Sequence, residues 1–455
     1  MNLKQINNLT ELFFDQFNKQ IDKNKILLST LGDKRKNYSW QKTYDFINLV
    51  SNELRKVISK GDRCLLISEN RPEWFITDLS IMLSDGITVP AYTTYAENDY
   101  NYILNDCSPT IIFVSNIEQF NKLKNIIKDK KFIKKIFSFE KLPDVEIDYI
   151  NFENLIKNNN KKNLPIHKSL ASRKDPSCII YTSGTQGNPK GVILSHGGIL
   201  NNCEGAIDIL KPLLSKEQPR FLTWLPLSHS YEHTVQFVQI TVAARIFYAE
   251  SIDKLVKNMS DCSPQIMTAV PRFYQNLYQK INASFKKATG LKKNLIFKML
   301  ELGLKKIKKE NLTIFEKIQD RILEKLVRKK IKSQFGGSLK TFVSGGGALD
   351  KEVGYFLNAI GLPTLQGYGL TETSPVVSCN PIDDIRIDTV GPPFKGNEVK
   401  IAQDGEILVK GENVMLGYWN NKEETDKVLK DGWLHTGDIG VFENNYLKIT
   451  DRKKD

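Results

Sequence analysis

Residues 176–192 read PSCIIYTSGTQGNPKGV, an apolar run that leads directly into a glycine-rich turn. The run is typical of a buried strand, and Gly184, Gly187 and Gly191 let the chain behind it turn tightly. Backbone N–H groups, hydroxyls and a cation around a turn are what a polyphosphate requires, so the stretch predicts a phosphate-binding loop. The Walker pattern needs a glycine directly before the lysine, and here the last glycine before Lys190 is Gly187. The hydroxyl groups of the loop come from Thr182, Ser183 and Thr185.

Outward from this loop, short apolar runs alternate with helical patterns. Residues 62–68, 87–92 and 109–115 indicate strands separated by helices, the pattern of a parallel sheet covered on both faces. A second section of the same kind includes TFVSGG at 341–346, a strand that runs into a glycine turn. After residue 385 the helical period mostly disappears and hairpin patterns follow. We therefore predict an α/β protein with two α/β subdomains, parallel-rich sheets and a small β-rich subdomain.

The domain limits follow from these changes in pattern. An Asn- and Lys-rich stretch at 157–165 is interpreted as a surface loop between the first two subdomains. The predicted units are an α/β subdomain at 1–165, an α/β subdomain at 166–384 with the phosphate loop and a basic helical insertion at 286–332, a β-rich subdomain at 385–450, and a hinge at 451–455.

Length and composition exclude several classes of protein. A chain of 455 residues with 26% charged and 40% hydrophobic residues is neither a peptide hormone nor a small disulfide scaffold. Six scattered cysteines without a C-x-x-C pair favour reduced thiols, and five histidines make a His-rich metal centre improbable. No apolar run reaches the roughly 18 residues that span a bilayer, so we expect a cytoplasmic protein, with the inner membrane face as a second possible site.

The insertion at 286–332 is strongly basic. It holds 16 basic and 5 acidic side chains in a chain whose net charge is +13. Apolar residues recur in it at helical spacing, at Leu295, Met299, Leu302, Phe315, Ile318, Ile322 and Leu326. Two interpretations stay open: contact with anionic lipid headgroups, or a solvated face on helices packed against the body. Nucleic acid is not predicted as a partner, because aromatic residues do not interleave with the basic ones.

The loop YTSGTQGNPKGV (181–192) resembles the signature of the ATP-dependent, AMP-forming acyl-adenylating superfamily, which usually reads T-S-G-T-T-G. Gln186 departs from that pattern and is expected to alter one phosphate contact without removing it. Further blocks occur in the family's order: LPLSHSYEH (225–233), SGGGAL (344–349), QGYGLTETSP (366–375), GEILVKGENVMLGYW (405–419), GWLHTGDIG (432–440) and DRKKD (451–455). Their wording is most similar to bacterial long-chain fatty acid:CoA ligases. The resemblance implies the N-terminal domain fold of acyl-CoA synthetases.

The resemblance also implies a nucleotide site. The ring of Tyr368 can stack on adenine, and the Asp438 carboxylate can accept hydrogen bonds from two ribose hydroxyls. The hinge residues Arg452 and Lys454 are expected to contact the nucleotide and to act as the pivot. The predicted nucleotide-binding residues are Thr182, Ser183, Gly184, Thr185, Gln186, Gly187, Gly345, Gly346, Gly347, Gln366, Gly367, Tyr368, Thr371, Asp438, Arg452 and Lys454.

Four residues carry the predicted chemistry: Lys190, Thr371, Glu372 and His229. Thr371 offers a hydroxyl to the α-phosphate, and Glu372 with Thr182 supplies oxygen ligands for Mg²⁺. By resemblance, His229 lies on the acyl side of the pocket, with packing as the alternative role. His229 and His233 do not form a zinc motif, because Glu232 lies beside the second histidine and not the first.

The implied reaction joins a fatty acid to coenzyme A at the expense of Mg·ATP, through an acyl-AMP intermediate. In the family a C-terminal lid domain follows the hinge. The sequence ends there, so we expect a chain that binds ATP and fatty acid but adenylates slowly. Three alternatives stay open: an acyl-AMP ligase that serves a carrier protein, a ligase for another carboxylic acid, and a non-catalytic nucleotide- or acyl-binding fragment.

Overall fold

A computed structural model describes residues 3–33, 35–143, 145–159, 164–182 and 188–453. Its helices are α1 Leu9–Lys19, α2 Trp40–Leu54, α3 Pro72–Leu83, α4 Glu97–Cys107, α5 Ile117–Asn121, α6 Phe152–Asn159, α7 His196–Leu210, α8 Ser230–Thr241, α9 Leu255–Cys262, α10 Pro271–Lys286, α11 Gly290–Ile307, α12 Ile314–Leu323, α13 Lys329–Ser333, α14 Lys351–Ala359 and α15 Lys422–Val428.

The strands of the described residues form three sheets. They are β1 Ile26–Thr30, β2 Asn37–Ser39, β3 Arg63–Ile67, β4 Ile87–Ala91, β5 Ile111–Val114, β6 Lys135–Ser138, β7 Ile150–Asn151, β8 Pro176–Thr182, β9 Lys190–Ser195, β10 Arg220–Thr223, β11 Arg245–Tyr248, β12 Ile266–Ala269, β13 Thr341–Ser344, β14 Thr364–Gly369, β15 Val376–Cys379, β16 Glu398–Ile401, β17 Glu406–Lys410, β18 Gly417–Tyr418, β19 Leu429–Lys430, β20 Trp433–Glu443 and β21 Tyr446–Arg452.

Sheet A has eight strands in the order β18-β9-β8-β4-β3-β5-β6-β7. Strands β3 to β8 pair in parallel, whereas β8 and β9 form an antiparallel hairpin that continues into β18. Strands β4 and β5 are buried along their whole length, as expected for parallel strands covered on both faces. The hairpin places the ends of the predicted phosphate loop, Thr182 and Lys190, opposite each other.

Sheet B also has eight strands, in the order β15-β14-β13-β12-β10-β11-β1-β2. Its central strands are parallel, and the two outer pairs are antiparallel. Helices α1, α2, α3, α7 and α8 contribute to one continuous core with side chains of both sheets. The predicted α/β class with parallel-rich sheets is therefore confirmed.

Sheet membership crosses the boundary drawn at residue 165. Strands β1 and β2 come from the first predicted subdomain but complete sheet B, while β8 and β9 come from the second and complete sheet A. The division of the chain into subdomains at residues 165 and 384 therefore stays a prediction. Sheet C is the small antiparallel sheet of β16, β17, β19, β20 and β21, and it lies within residues 398–452.

The apolar residues of the basic insertion form two groups that differ in burial, one on α11 and one on α12 and the turn behind it. Met299 and Leu302 of α11 are fully buried, and Gly303 lies against the backbone of Ala359 in α14. By contrast, the group from Phe315 to Leu326 is exposed to solvent. The first apolar group thus packs against the body, whereas the second group faces solvent, although Leu323 and Asp320 of the same helix are buried.

Two smaller sequence expectations concern cysteines and membrane spans. All six cysteines are buried and unpaired. Among the helices of the described residues, none is long and apolar enough to cross a bilayer.

Candidate active site

A cavity of about 560 Å³ opens at the carboxyl ends of strands β13 and β14. Helices α7 and α8 form one wall, and the far wall comes from the segment 387–390 and from sheet C. Carboxyl ends of parallel strands are the usual ligand edge of an open α/β sheet. The sequence-predicted residues that line the cavity are His229, Gly345, Gly346, Gly347, Gln366, Gly367, Tyr368, Thr371, Asp438 and Arg452.

The cavity has a polar end and an apolar end. The polar end is defined by Tyr368, Thr371, Asp438 and Arg452, which lie on β14, the turn behind it and sheet C. The apolar end lies between α7, α8 and sheet B and is lined by Ala206, Ile209, Leu210, Phe221, Val235, Val238 and Ile266. The sequence analysis identified none of these apolar residues, because they are ordinary core residues from distant segments.

Close packing explains the glycines after β13. A Cβ at Gly345 would lie 2.9 Å from Cζ of Tyr231, whose hydroxyl donates to the carbonyl oxygen of Val343 at 3.1 Å. Gly346 has φ +75°, a conformation that residues with a side chain rarely adopt. The Tyr231 ring therefore closes the space beside Gly345, whereas Gly346 and Gly347 have only ordinary contacts, with Val270 and Pro271.

Tyr368, Asp438 and Arg452 form a hydrogen-bonded row. The Tyr368 hydroxyl donates to Oδ2 of Asp438 at 2.7 Å, and Nη1 of Arg452 donates to Oδ1 at 3.4 Å. Burial, with the Asp438 charge second, raises the pKa of Tyr368 far above its usual range, so the phenol keeps its proton. The side chain of Gln366 does not join this row. Its amide donates to the carbonyl oxygen of Ile387, which belongs to the opposite wall of the cavity.

Glu372 and Lys190 meet at Tyr418, a residue that the sequence analysis did not single out. The Tyr418 hydroxyl donates to Oε1 of Glu372 at 2.8 Å, and Nζ of Lys190 lies 5.2 Å from the centroid of the same ring. Strand β18 brings Tyr418 there by pairing with β9. Lys190 also forms an ion pair with Glu424, whose pKa is lowered to about 2, mainly by its hydrogen bond with Lys190. The sequence signal for Tyr418 was the GYW at the end of the block GEILVKGENVMLGYW (405–419).

Thr371 lies in the turn Thr371–Thr373, directly after β14. Its Oγ1 is 3.1 Å from Oγ of Ser230, the first residue of α8. This contact joins the turn that carries Glu372 to the helix that carries His229.

His229 is the N-cap of α8 and lines the cavity. Its Nδ1 accepts a hydrogen bond from the backbone N–H of Tyr231 at 3.1 Å, so the neutral ring must carry its proton on Nε2. Burial lowers the pKa of His229 and keeps the ring neutral. The residue therefore presents one N–H donor.

His233 is a core residue. Its Nε2 lies 2.8 Å from Oδ2 of Asp78 on α3, and both side chains are fully buried. Burial alone would lower the pKa of His233, but the Asp78 carboxylate raises it above its usual range. The pair fixes α8 against α3.

Among the residues that the structure describes, no group of three or more His, Cys, Asp or Glu side chains could hold a metal ion. Glu372 nevertheless suits Mg²⁺, because its Oε2 accepts no hydrogen bond from a described residue. Mg²⁺ is commonly held by one or two carboxylates together with substrate phosphates. Five loop residues and one hinge residue predicted for the nucleotide lie outside the described residues: Ser183, Gly184, Thr185, Gln186, Gly187 and Lys454.

The sequence model of the AMP-binding enzyme family matches residues 13–419. The fatty acyl-CoA synthetase A of Dictyostelium discoideum is 30% identical, with 96% of this chain and 69% of that protein aligned. The long-chain fatty acid–CoA ligase FadD15 of Mycobacterium bovis is 28% identical over 88% of this chain and 66% of its own length. The chain thus spans about two thirds of the length of these curated relatives.

Solved structures show the same fold. The ATP-bound MatB from Rhodopseudomonas palustris superimposes with a TM-score of 0.73 at 21% identity, covering 98% of this chain and 79% of that one. The N-terminal domain of FACL13 from Mycobacterium tuberculosis gives 0.74 at 17% identity, covering 98% and 100%.

Proposed function

The chain belongs to the AMP-binding enzyme family, and from this premise we propose that it is an AMP-forming long-chain fatty acid:CoA ligase. The substrates are a fatty acid, ATP and coenzyme A, with Mg²⁺ as the metal. The observation that carries the proposal is one cavity with a polar end, where motif residues converge, and an apolar end between two helices and a sheet. A fatty acid needs an apolar channel that leads to the phosphates, and the apolar lining beside the polar end supports this assignment.

The nucleotide occupies the polar end in this proposal. Tyr368 stacks on the adenine, and Asp438 accepts from the ribose hydroxyls. The hydrogen bonds from Tyr368 and Arg452 already fix the orientation of that carboxylate, so little ordering is needed when the ribose binds. Gly345, Gly346 and Gly347 supply backbone at close range because no side chain separates it from the cavity.

The first half-reaction needs no general base. Carboxylic acids titrate near pH ~4, so the substrate is already an anion at neutral pH. Its oxygen attacks the α-phosphorus, and the bond to the bridging oxygen of pyrophosphate breaks. His229 donates its Nε2–H to the acyl carboxylate and orients it, while Thr371 donates its hydroxyl to the α-phosphate.

Charge neutralisation is the second requirement. Lys190, at the start of β9, supplies a positive charge to the phosphates in exchange for its ion pair with Glu424, and Glu372 with Thr182 would hold Mg²⁺. When bound, Mg²⁺ neutralises phosphate oxygens and polarises the α-phosphorus. In the second half-reaction the thiol of coenzyme A gives its proton to solvent, its sulfur attacks the acyl carbon, and AMP leaves with the bridging oxygen.

The proposal extends to location and organisation. The chain acts in the cytoplasm, with the insertion at 286–332 in contact with an anionic membrane surface at its inner face. The excess of 16 basic over 5 acidic side chains in that segment supports the contact. Of the three sheets, sheet C forms the proposed β-rich subdomain, and Arg452 at its edge belongs to the proposed hinge.

A binding and turnover experiment tests the function. The 455-residue chain is titrated by calorimetry with a non-hydrolysable palmitoyl-adenylate analogue, and pyrophosphate release is followed with palmitate, ATP and Mg²⁺. We expect the analogue to bind, pyrophosphate to be released slowly and only with palmitate, and any palmitoyl-CoA to appear only when coenzyme A is added. Pyrophosphate without thioester would favour an acyl-AMP ligase, and binding without pyrophosphate a non-catalytic module. Absence of binding would overturn the assignment.

A further inference from the structure

Helix α12 and the turn behind it carry a row of exposed apolar side chains. The row, here called the apolar stripe, consists of Ile314, Phe315, Ile318, Ile322 and Leu326, each with 49% to 80% of its surface exposed. Four of the five recur every four residues, which places them on one face of the helix. A surface helix normally buries its apolar residues, but in α12 Leu323 is buried while the whole apolar stripe faces solvent.

The buried face of α12 carries Leu323 and Asp320, and an ion pair anchors it. Arg328 is 2% exposed and donates to Oδ1 of Asp320 at 2.7 Å. The same guanidinium donates to the carbonyl oxygens of Ala359 at 3.1 Å and Met299 at 3.1 Å. These bonds tie α12 to α11 and α14. A buried pair of this kind is costly to break from one side, so it fixes the rotation of the helix.

Two lysines of α11 strengthen the same anchor. Lys305 forms an ion pair with Glu316 at 2.6 Å, and Lys306 with Asp320 at 2.8 Å. The helix begins in a capping box, in which Thr313 and Glu316 satisfy each other's backbone N–H groups. The stripe therefore points outward because its opposite face is bound, and not because the helix is loosely attached.

The basic residues of this region divide into two groups. Those facing the body, such as Lys305, Lys306 and Arg328, have acidic partners. Those beside the stripe are exposed and form no ion pair with a described residue: Lys317, Arg321, Lys325, Lys329 and Lys330. An apolar face bordered by free cations is complementary to a surface that is anionic outside and apolar beneath.

We propose that the apolar stripe inserts into the interfacial layer of an anionic phospholipid bilayer, with the flanking cations on the headgroups. This inference deepens the membrane contact of the proposed function, which required only charge. A second copy of the chain is a poorer occupant, because joining two stripes would bring two sets of unpaired cations together. A lipid surface supplies both the negative charge and the apolar layer.

The test compares two triple variants with matched controls in vesicle co-sedimentation of the 455-residue chain, without ATP or fatty acid. The apolar variant is F315Q/I318Q/I322Q, and its control I166Q/L170Q/I252Q changes three side chains that are 67% to 79% exposed elsewhere. The charge variant is K317Q/R321Q/K325Q, and its control K124Q/K128Q/K131Q removes the same charge from exposed positions without ion pairs among the described residues.

We expect binding to phosphatidylcholine vesicles that contain phosphatidylglycerol, and little binding to phosphatidylcholine alone. The charge variant should bind roughly 100-fold more weakly, since each basic residue near such a surface contributes about fivefold. The apolar variant should lose roughly 100-fold, and its remaining binding should vanish in high salt. Both control variants should bind like the original chain, and thermal unfolding should be unchanged in all four.

Three results would overturn the insertion. If the apolar variant binds as well as the original chain while the charge variant does not, the contact is purely electrostatic. If the original chain binds neither kind of vesicle, the membrane contact of the proposed function is wrong as well. The ligase assignment would still stand if pyrophosphate release depends on palmitate. If sedimentation velocity shows a dimer that the apolar variant abolishes, the stripe is an interface between copies.

Discussion

The two ends of the cavity are built from different kinds of sequence. At the polar end, Tyr368 and Asp438 lie in recognisable blocks, as does Glu372, which directly follows the cavity-lining Thr371, and each of the three has a hydrogen-bonding partner that fixes its orientation. At the apolar end, residues such as Ile209 and Val238 carry no motif and act through shape alone. A hydrogen bond or a metal ligand requires a particular side chain, whereas an apolar wall requires only side chains of suitable volume. Substitutions at the polar end should therefore change rates, and those at the apolar end should change the choice of substrate.

The largest expected effect at the polar end comes from Glu372→Gln. The change removes the charge that suits Mg²⁺ and should lower palmitate-dependent pyrophosphate release by roughly 10²–10³-fold. Glu423→Gln on α15, which is exposed, is the matched control and should leave the rate unchanged. An unaltered rate in Glu372→Gln would remove the carboxylate from the mechanism.

Helix α8 forms part of one wall of the cavity, and Asp78→Asn should loosen its attachment to α3. The change leaves the buried His233 without a carboxylate to balance its charge and should lower the free energy of unfolding by about 3 kcal/mol, measured in urea. Asp129→Asn, on the surface, is the control and should cost little.

The pH dependence of that loss follows from the pKa of His233. Because the folded-state pKa is raised, the pair contributes fully below the unfolded value near ~6.5, and the contribution declines as pH rises through the folded value. The difference between the original chain and Asp78→Asn should thus be greatest in mildly acidic buffer. A difference that grew with pH would contradict a charged pair.

A smaller effect is expected for Tyr418→Phe, which removes the hydroxyl that holds Glu372. The carboxylate would stay in place but lose its orientation, so pyrophosphate release should fall roughly tenfold with the KM for palmitate unchanged. Tyr355→Phe is a suitable control, because that hydroxyl forms no hydrogen bond with a described residue. A change in KM alone would place Tyr418 outside the phosphate region.

The smallest effect on rate should come from the apolar end. Val238→Phe adds volume to the wall and should lower kcat/KM for palmitate roughly tenfold relative to octanoate, with little change for octanoate itself. Val441→Phe, at an exposed position of sheet C, is the control. Equal losses for both acids would mean that Val238 acts through stability and not through chain length.

The same contrast explains what could be predicted from the sequence. The α/β class followed from local apolar runs, and ten predicted site residues line one cavity because loops at the carboxyl ends of neighbouring strands meet there. Tyr418 escaped notice because its role depends on β18 pairing with β9, more than two hundred residues earlier in the chain. The position of β1 and β2 in sheet B likewise depends on a long-range pairing, which no local sequence pattern indicates.

The insertion shows a further limit of periodicity. Met299 and Phe315 both recur at helical spacing with apolar neighbours, yet one is buried and the other is exposed. The spacing predicts that a helix has an apolar face, but the direction of that face was decided here by Arg328 and Asp320, whose pairing is a tertiary contact.

Strand β18 has only two residues, and its placement has a mechanical consequence. It is hydrogen-bonded to the edge of sheet A on both sides, through Leu416 N–H to Ile193 and Trp419 N–H to Gly191, while the chain on either side of it leads into sheet C. Because Tyr418 is fixed to β9 in this way, its hydroxyl holds the Glu372 carboxylate in register with the strand that carries Lys190. Two residues of strand thereby link a side chain of sheet A to one from the end of sheet B.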